Sequence, residues 1–550
     1  MTRTYRIFSG LIALTVIALV TMTNAQQNGD DTSVPSFTPV SSDRLLNAES
    51  EPQNWLMYSG NYKAQRYSAL TQLDRRNVEE LEIAWVHQLS VLDRAETTPL
   101  VVDGVMFITE SPSTVIAVDA ASGRPYWRYE HQLPEEIIIC CGRNNRGVAV
   151  QGDTVLMSTL DAHLVALDAK TGSVRWETEV QEATAGYSKT DAPLVVGDKV
   201  FTGIAGGEYG IRGLIDAYNI NTGEREWRFN TTPGPDHPDN RTWSGDSWRT
   251  GGAATWMTGS YDPDLNLIYW GTGNPGPDYD GSVREGDNLY SDSVVALDAD
   301  TGELKWYFQF TPHDIHDWDS TQIPVLADTM FNGEERKVML FPNRNAFFYV
   351  LDRETGEFLL GKPYARQTWA EGLDENGRPI LLPGKEPSPE GTIVSPPIIG
   401  ASNWWSPTYS PRTDLIYVTT LDGETKYFLR PTEYLVPGQS YRAGGGETPQ
   451  PMENYHRAVR AISPQTGDIR WEFPVDPRTT SGLMSTAGDL VFGGSADGFF
   501  FALDALTGEE LWHRNIGGRI HAAPMGYAVN GKQYVAIAAG NAIFSFALPN

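Results

Sequence analysis

Cys140 and Cys141 are the only two cysteines in 550 residues, and they are adjacent. Neighbouring Cα atoms sit about 3.8 Å apart across a trans peptide, whereas an ordinary disulfide separates its Cα atoms by roughly 4.4–6.8 Å. Joining these thiols makes a tight ring with a twisted peptide, and it closes almost no loop, so it stabilises the fold little. A ring of that kind suits a rigid sulfur platform better than a structural staple; the alternative is a pair of buried thiols. A second stretch, Pro312-His313-Asp314-Ile315-His316-Asp317-Trp318-Asp319, sets two histidines three apart among three aspartates. Taken alone, that set could hold a transition metal.

Compartment bears on the cysteine pair. Arg3 and Arg6 precede an apolar run from Ile7 to Val20, followed by the small-residue stretch Thr23-Asn24-Ala25. This pattern predicts a cleavable secretory signal over residues 1–25 and a periplasmic protein. The run falls short of the roughly 20 apolar residues of a comfortable membrane span, and an uncleaved anchor is the alternative. Export favours an oxidising compartment and so favours the Cys140–Cys141 ring. A formal charge of −28 excludes nucleic acid as partner and suits a soluble protein that attracts a basic one.

The elements that position these residues are read from a repeat. Val118-Asp119-Ala120-Ala121-Ser122-Gly123 leads to Trp127, Leu167-Asp168-Ala169-Lys170-Thr171-Gly172 to Trp176, and Asn221-Thr222-Gly223 to Trp227. Leu297-Asp298-Ala299-Asp300-Thr301-Gly302 leads to Trp306, and Pro464-Gln465-Thr466-Gly467 to Trp471. Leu503-Asp504-Ala505-Leu506-Thr507-Gly508 leads to Trp512, Leu351-Asp352-Arg353-Glu354-Thr355-Gly356 ends at Leu360 in place of Trp, and a degenerate first copy ends at Trp85. In each copy an apolar strand meets a turn whose glycine supplies positive φ, and a second strand carries Trp out to pack on the neighbouring unit. The usual Trp spacings of about 41–54 residues suit four-stranded blades. The expectation is all-β: residues 1–25 signal, 26–50 a flexible lead-in, and 51–550 one eight-bladed β-propeller with Trp-docking repeats. The long gaps from Trp227 to Trp306 and from Leu360 to Trp471 are expected to hold extra loops.

The repeat, with Cys140-Cys141, Gly271-Thr272-Gly273-Asn274 and the Asp-rich segment, resembles the quinoprotein alcohol dehydrogenases, which use pyrroloquinoline quinone (PQQ). The resemblance runs from about Asn54 to Pro549. It implies a flat cofactor held between the Cys140–Cys141 ring and Trp256, with Arg146 pairing one of its carboxylates. Glu96, Thr159 and Asn403 match positions that hydrogen-bond its edge. Glu208, Asn274 and Asp317 match the metal ligands, Asp317 also the catalytic base, and Arg344 the arginine at the reactive quinone oxygens. Carboxylate and amide oxygens suit a hard cation. Asp319 stands where lanthanide-using members carry an extra ligand and calcium members commonly a small or uncharged residue. The metal expected is therefore Ca²⁺ or a lanthanide, with the lanthanide favoured.

What the resemblance implies is oxidation of an alcohol to an aldehyde by hydride transfer to metal-activated PQQ. No Cys-x-x-Cys-His occurs in the chain, so the electrons must pass to an external cytochrome c or similar carrier. A PQQ-dependent polyol or sugar dehydrogenase is the alternative enzyme. A non-catalytic propeller scaffold for envelope assembly is the alternative outside enzymes, but it has no need of Cys140, Cys141, Trp256, Glu208, Asn274 and Asp317 together. A homodimer is compatible with the sequence, which sets no limit on it.

Overall fold

The computed structural model describes residues 34–431, 435–449 and 455–549. The signal read at residues 1–25 lies outside them. Among the described residues the only α-helix is Ser42–Leu46, and the rest is strands, short 3-10 turns and loops. There are seven four-stranded sheets and one five-stranded sheet, besides one of two strands and one of three. A typical sheet runs in chain order through Leu100–Val102, Val105–Glu110, Thr114–Asp119 and Pro125–Glu130, all antiparallel. Its middle strands are buried nearly throughout, while Pro125–Glu130 alternates with solvent, as an outer strand should.

Met525–Val529, Lys532–Ala539 and Ala542–Ala547 from the end of the chain take their fourth strand, Glu82–Gln88, from its beginning. That exchange closes a β-propeller, with Glu82–Gln88 as the outer strand and Ala542–Ala547 paired on both sides. The lead-in departs from the sequence expectation. Residues 34–50 are packed down because Phe37, Val40, Leu45 and Ala48 are buried, and Arg44 bridges Glu51 and Asp103 at 2.6 and 2.9 Å. The gap from Leu360 to Trp471 holds more than loops, namely the hairpin Ala370–Leu373 with Pro379–Leu381 and the sheet of Thr392–Val394, Thr425–Leu429 and Gly444–Glu447.

The Asp-x-x-Thr-Gly turns work as the sequence suggests. Asp168 Oδ1 accepts from the backbone of Lys170 and Thr171 and from the Thr171 hydroxyl, each at 3.0 Å. Trp85, Trp127, Trp176, Trp227 and Trp471 each lie on the turn glycine of the next unit and donate to a carbonyl there, as Trp127 Nε1 does to Ala169 at 3.0 Å, whereas Trp306 lies on Gly356 with no hydrogen-bond partner for its Nε1 among the described residues. A Cβ on Gly172 would stand 2.6 Å from the Trp127 ring, at a backbone φ of +71°. Gly172→Ala therefore meets both strain and overpacking, each costing about 1–3 kcal/mol. Gly152 has a similar φ of +61°, but a Cβ there would find nothing within 4 Å, so Gly152→Ala meets strain alone. Thermal unfolding should place Gly172→Ala clearly below Gly152→Ala; equal midpoints would mean that Trp docking contributes nothing.

Candidate active site

In an antiparallel sheet the start of the first strand and the end of the second lie at the same end, and the site draws on both. Arg146 precedes Val148–Gln151, Trp256 precedes Ser260–Asp262, Asp317 and Asp319 precede Val325–Phe331, and Asn403 precedes Thr408–Ser410. Glu208, Asn274 and Arg344 follow the second strands Lys199–Thr202, Leu267–Gly271 and Glu334–Pro342. Their loops enclose a cavity of about 410 Å³, a usual size for a small-molecule site. Cys140, Cys141, Arg146, Glu208, Trp256, Asn274, Asp317, Asp319, Arg344 and Asn403 all line it.

Cys140 and Cys141 form a disulfide across Cα atoms 3.8 Å apart, with Cys141 at φ 65°. Glu208 Oε1 lies 3.0 Å from Cys140 Sγ, and Arg442 Nη2 lies 3.5 Å from the same sulfur. Arg146 pairs with Glu96 at 2.9 Å, donates to Thr190 Oγ1 at 2.6 Å, and sits 5.1 Å from the Trp256 ring. Glu96 is buried behind this arginine and orients it, rather than lining the cavity.

Asp319 joins the two sides. Its Oδ2 accepts from Trp256 Nε1 at 3.2 Å and Arg344 Nη1 at 2.6 Å, and its Oδ1 from the Asn274 backbone N–H at 2.8 Å. A Cβ on Gly273 would fall 2.3 Å from Asp319 Oδ1, so only glycine lets this carboxylate approach the Asn274 loop. Arg344 also donates to the backbone carbonyls of Asp317 and Ile398. Tyr279 O–H donates to Asp317 Oδ2 at 3.3 Å. Asp317 itself sits at φ 61°, an uncommon backbone for a residue with a side chain and one that gathers at functional sites.

Charge is unbalanced here. Burial pushes the Asp317 carboxyl well above the usual range, with Arg344 opposing and Asp278, Asp319 and Glu208 adding to it. Asp278 is likewise pushed well up by burial, and Glu208 and Asp319 are raised for the same first reason. The carboxylates of Asp317, Asp278, Glu208 and Asp319 thus act against one another, opposed chiefly by Arg344 and Arg442, in a space where like charges destabilise one another. A hard polyvalent cation on these oxygens restores the balance. Conversely, Arg146, Arg344 and Arg442 line the cavity, and each keeps a buried Nε–H with no partner among the described residues. Buried donors of that kind call for an acceptor, and the carboxylates of an anionic ligand supply one. The donor set therefore fits an anionic cofactor and a cation side by side.

Three sequence expectations need comment. Thr159 is not at the cavity: it starts the hairpin after Thr154–Ser158, where its Oγ1 donates to Asp161 Oδ1 at 2.5 Å and accepts from the His163 N–H at 3.0 Å. Turn capping has claimed its hydroxyl, and Thr190 lines the cavity instead. The two histidines of the Asp-rich segment point elsewhere, His313 Nδ1 to Gly286 O at 2.7 Å and His316 Nε2 to Lys385 O at 2.9 Å. Neither belongs to a metal-sized cluster among the described residues. Arg442, Tyr279 and Asp278 were not anticipated. Thr190 could have been found, since it precedes a first strand just as Arg146 does, but Arg442 lies outside the repeat frame and carries no such signal.

A propeller that gathers buried carboxylates, guanidiniums with open Nε–H donors and a sulfur ring at one cavity suits a cofactor-dependent enzyme. Residues 55–362 and 458–535 match the PQQ family described as glucose/ethanol/alcohol dehydrogenase, beta-propeller domain. The chain is 38% identical to the quinoprotein alcohol dehydrogenase PedH of Pseudomonas putida, over 91% of this chain and 88% of PedH. It is similar to the solved quinohemoprotein alcohol dehydrogenase of Comamonas testosteroni, with 34% identity, a TM-score of 0.89, and 92% of this chain and 82% of that one covered. It is also similar to a europium-containing methanol dehydrogenase, with 31% identity, a TM-score of 0.87, and 92% and 100% covered. The chain belongs to the PQQ-dependent alcohol dehydrogenases.

Proposed function

We propose that this enzyme is a periplasmic, eight-bladed dehydrogenase that oxidises small alcohols to aldehydes using PQQ and one Ca²⁺ or lanthanide ion, and passes the electrons to a soluble cytochrome c or similar carrier. The observation that carries this reading is the meeting of the Cys140–Cys141 disulfide, Trp256 and the carboxylates of Glu208, Asp317 and Asp319 around one cavity. The eight sheets of four or more strands support the blade count. Cys140, Cys141 and Trp256 would hold the faces of PQQ; Arg146, Thr190 and Asn403 its edge; and Glu208, Asn274, Asp317 and Asp319 the cation. When bound, PQQ supplies the two-electron acceptor and the cation the Lewis acid that activates it.

The residues supply the rest. Asp317 takes the hydroxyl proton of the alcohol on its carboxylate as general base. Arg344, 3.6 Å from Asp317 Oδ1, keeps that carboxylate ionised together with the charge of the cation, and Tyr279 fixes its position through Oδ2. Arg344 also offers its free Nε–H to negative charge that grows in the cavity. Reconstitution of protein stripped of PQQ and metal tests the reading. Dye reduction with a panel of alcohols should require PQQ together with Ca²⁺ or La³⁺. Failure to bind PQQ with either ion, or no turnover of any alcohol, would overturn it.

A further inference from the structure

Asp278 has no part in the scheme above, yet its carboxylate is poorly satisfied beside Arg442 of the cavity wall. Its side chain is fully buried, and neither carboxylate oxygen has a hydrogen-bond partner among the described residues. The nearest cation, Arg442 Nε, is 3.8 Å away, too far for a hydrogen bond, and the same guanidinium also turns toward Cys140. A buried carboxylate left in that condition is destabilising by several kcal/mol unless something else pairs with it.

Its placement is held firmly. Buried Arg284 donates to the carbonyls of Pro277 at 3.1 Å, Asp278 at 3.4 Å and Asp314 at 2.5 Å, and so ties the turn after Asn274 to the segment that carries Asp317. The next residue, Tyr279, accepts this constraint from both sides, with its N–H on Arg442 O at 3.0 Å and its O–H on Asp317 Oδ2. Arg442, 3.8 Å from the Asp278 carboxylate, also lies 3.5 Å from Cys140 Sγ, and Glu208 Oε1 lies 3.0 Å from the same sulfur, which puts Asp278 on the Glu208 side of the cavity.

We propose that Asp278 is a further oxygen ligand of the cation, completing a set with Glu208, Asn274, Asp317 and Asp319. A large hard cation takes about 6–8 oxygens, which leaves room for a fifth residue in the set. A carboxylate attracts a trivalent ion more strongly than a divalent one at the same distance, so a further aspartate favours the higher charge. The inference rests on the cation proposed for this site.

The test uses Tb³⁺ alone as probe, on the full chain stripped of PQQ and metal, read by luminescence excited through the protein's tryptophans. Asp278→Asn should weaken Tb³⁺ binding by about 10–100-fold, as loss of even an outer partner commonly does. Luminescence lifetimes in H₂O and D₂O should add about one bound water in Asp278→Ala, which brings no oxygen to the vacated position. Metal-free Asp278→Asn should also melt above the metal-free parent, because the unpaired charge is gone. Arg442→Gln separates the competing role: it should leave Tb³⁺ affinity equal or tighter, since it removes a cation that competes for Asp278. An unchanged water count in Asp278→Ala, whatever the affinity, or unchanged affinity in Asp278→Asn, would overturn the assignment and leave Asp278 as a counter-charge for Arg442. A parent that binds no Tb³⁺ would instead sink the cation site itself, and this inference with it.

Discussion

Asp317→Asn should lower kcat by about 100-fold or more, the usual contribution of a general base, with PQQ and cation still bound. The substitution is nearly isosteric, so most of what surrounds the residue stays. Arg344 donates to the Asp317 backbone carbonyl, which is untouched, and the amide oxygen of asparagine can still accept from Tyr279 and still coordinate a hard cation. What disappears is the only basic oxygen that this residue offers to a substrate hydroxyl. Dye-coupled turnover of the loaded variant, with bound PQQ measured by absorbance on the same sample, separates lost chemistry from lost cofactor. Turnover near that of the parent would move the base elsewhere.

The features legible in the sequence are those repeated or chemically rare. The turn of Asp168 to Gly172 recurs because each blade needs the same glycine beneath the same indole, and Trp127 on Gly172 is the contact that the spacing implied. Cys140 and Cys141 could be read because adjacency limits what a pair of sulfurs can do. The resemblance misled at Thr159, where a Thr-x-Asp turn spends the hydroxyl on its own hairpin. Residues 34–50 looked loose because polar residues dominate them, yet four scattered apolar side chains suffice to dock them. Arg442 and Asp278 stayed hidden for a different reason: each acts through a charge balance that exists only once loops from separate blades meet, and no local pattern encodes it.

Asp319→Asn should shift metal use away from La³⁺ and towards Ca²⁺, and the reason lies in what this carboxylate already does. At equal distance a carboxylate attracts a trivalent ion half again as strongly as a divalent one, so removing its charge hurts La³⁺ more than Ca²⁺. Asparagine keeps one acceptor oxygen, enough for the Trp256 indole now on Oδ2 or the Asn274 N–H now on Oδ1 but not both, so one of these bonds goes with the charge, and that loss is the same whichever ion is bound. La³⁺-supported turnover should fall by about 100-fold or more, beyond the 10–100-fold cost of outer-shell changes, and Ca²⁺-supported turnover by clearly less. The competing account is that Asp319 serves only as the partner of Arg344, whose Nη1 lies 2.6 Å from its Oδ2. In that case the variant frees Arg344 in the same way whichever ion is bound, and both activities fall together. The ratio of La³⁺ to Ca²⁺ turnover decides between them: a fall assigns Asp319 to the metal, and an unchanged ratio assigns it to the arginine.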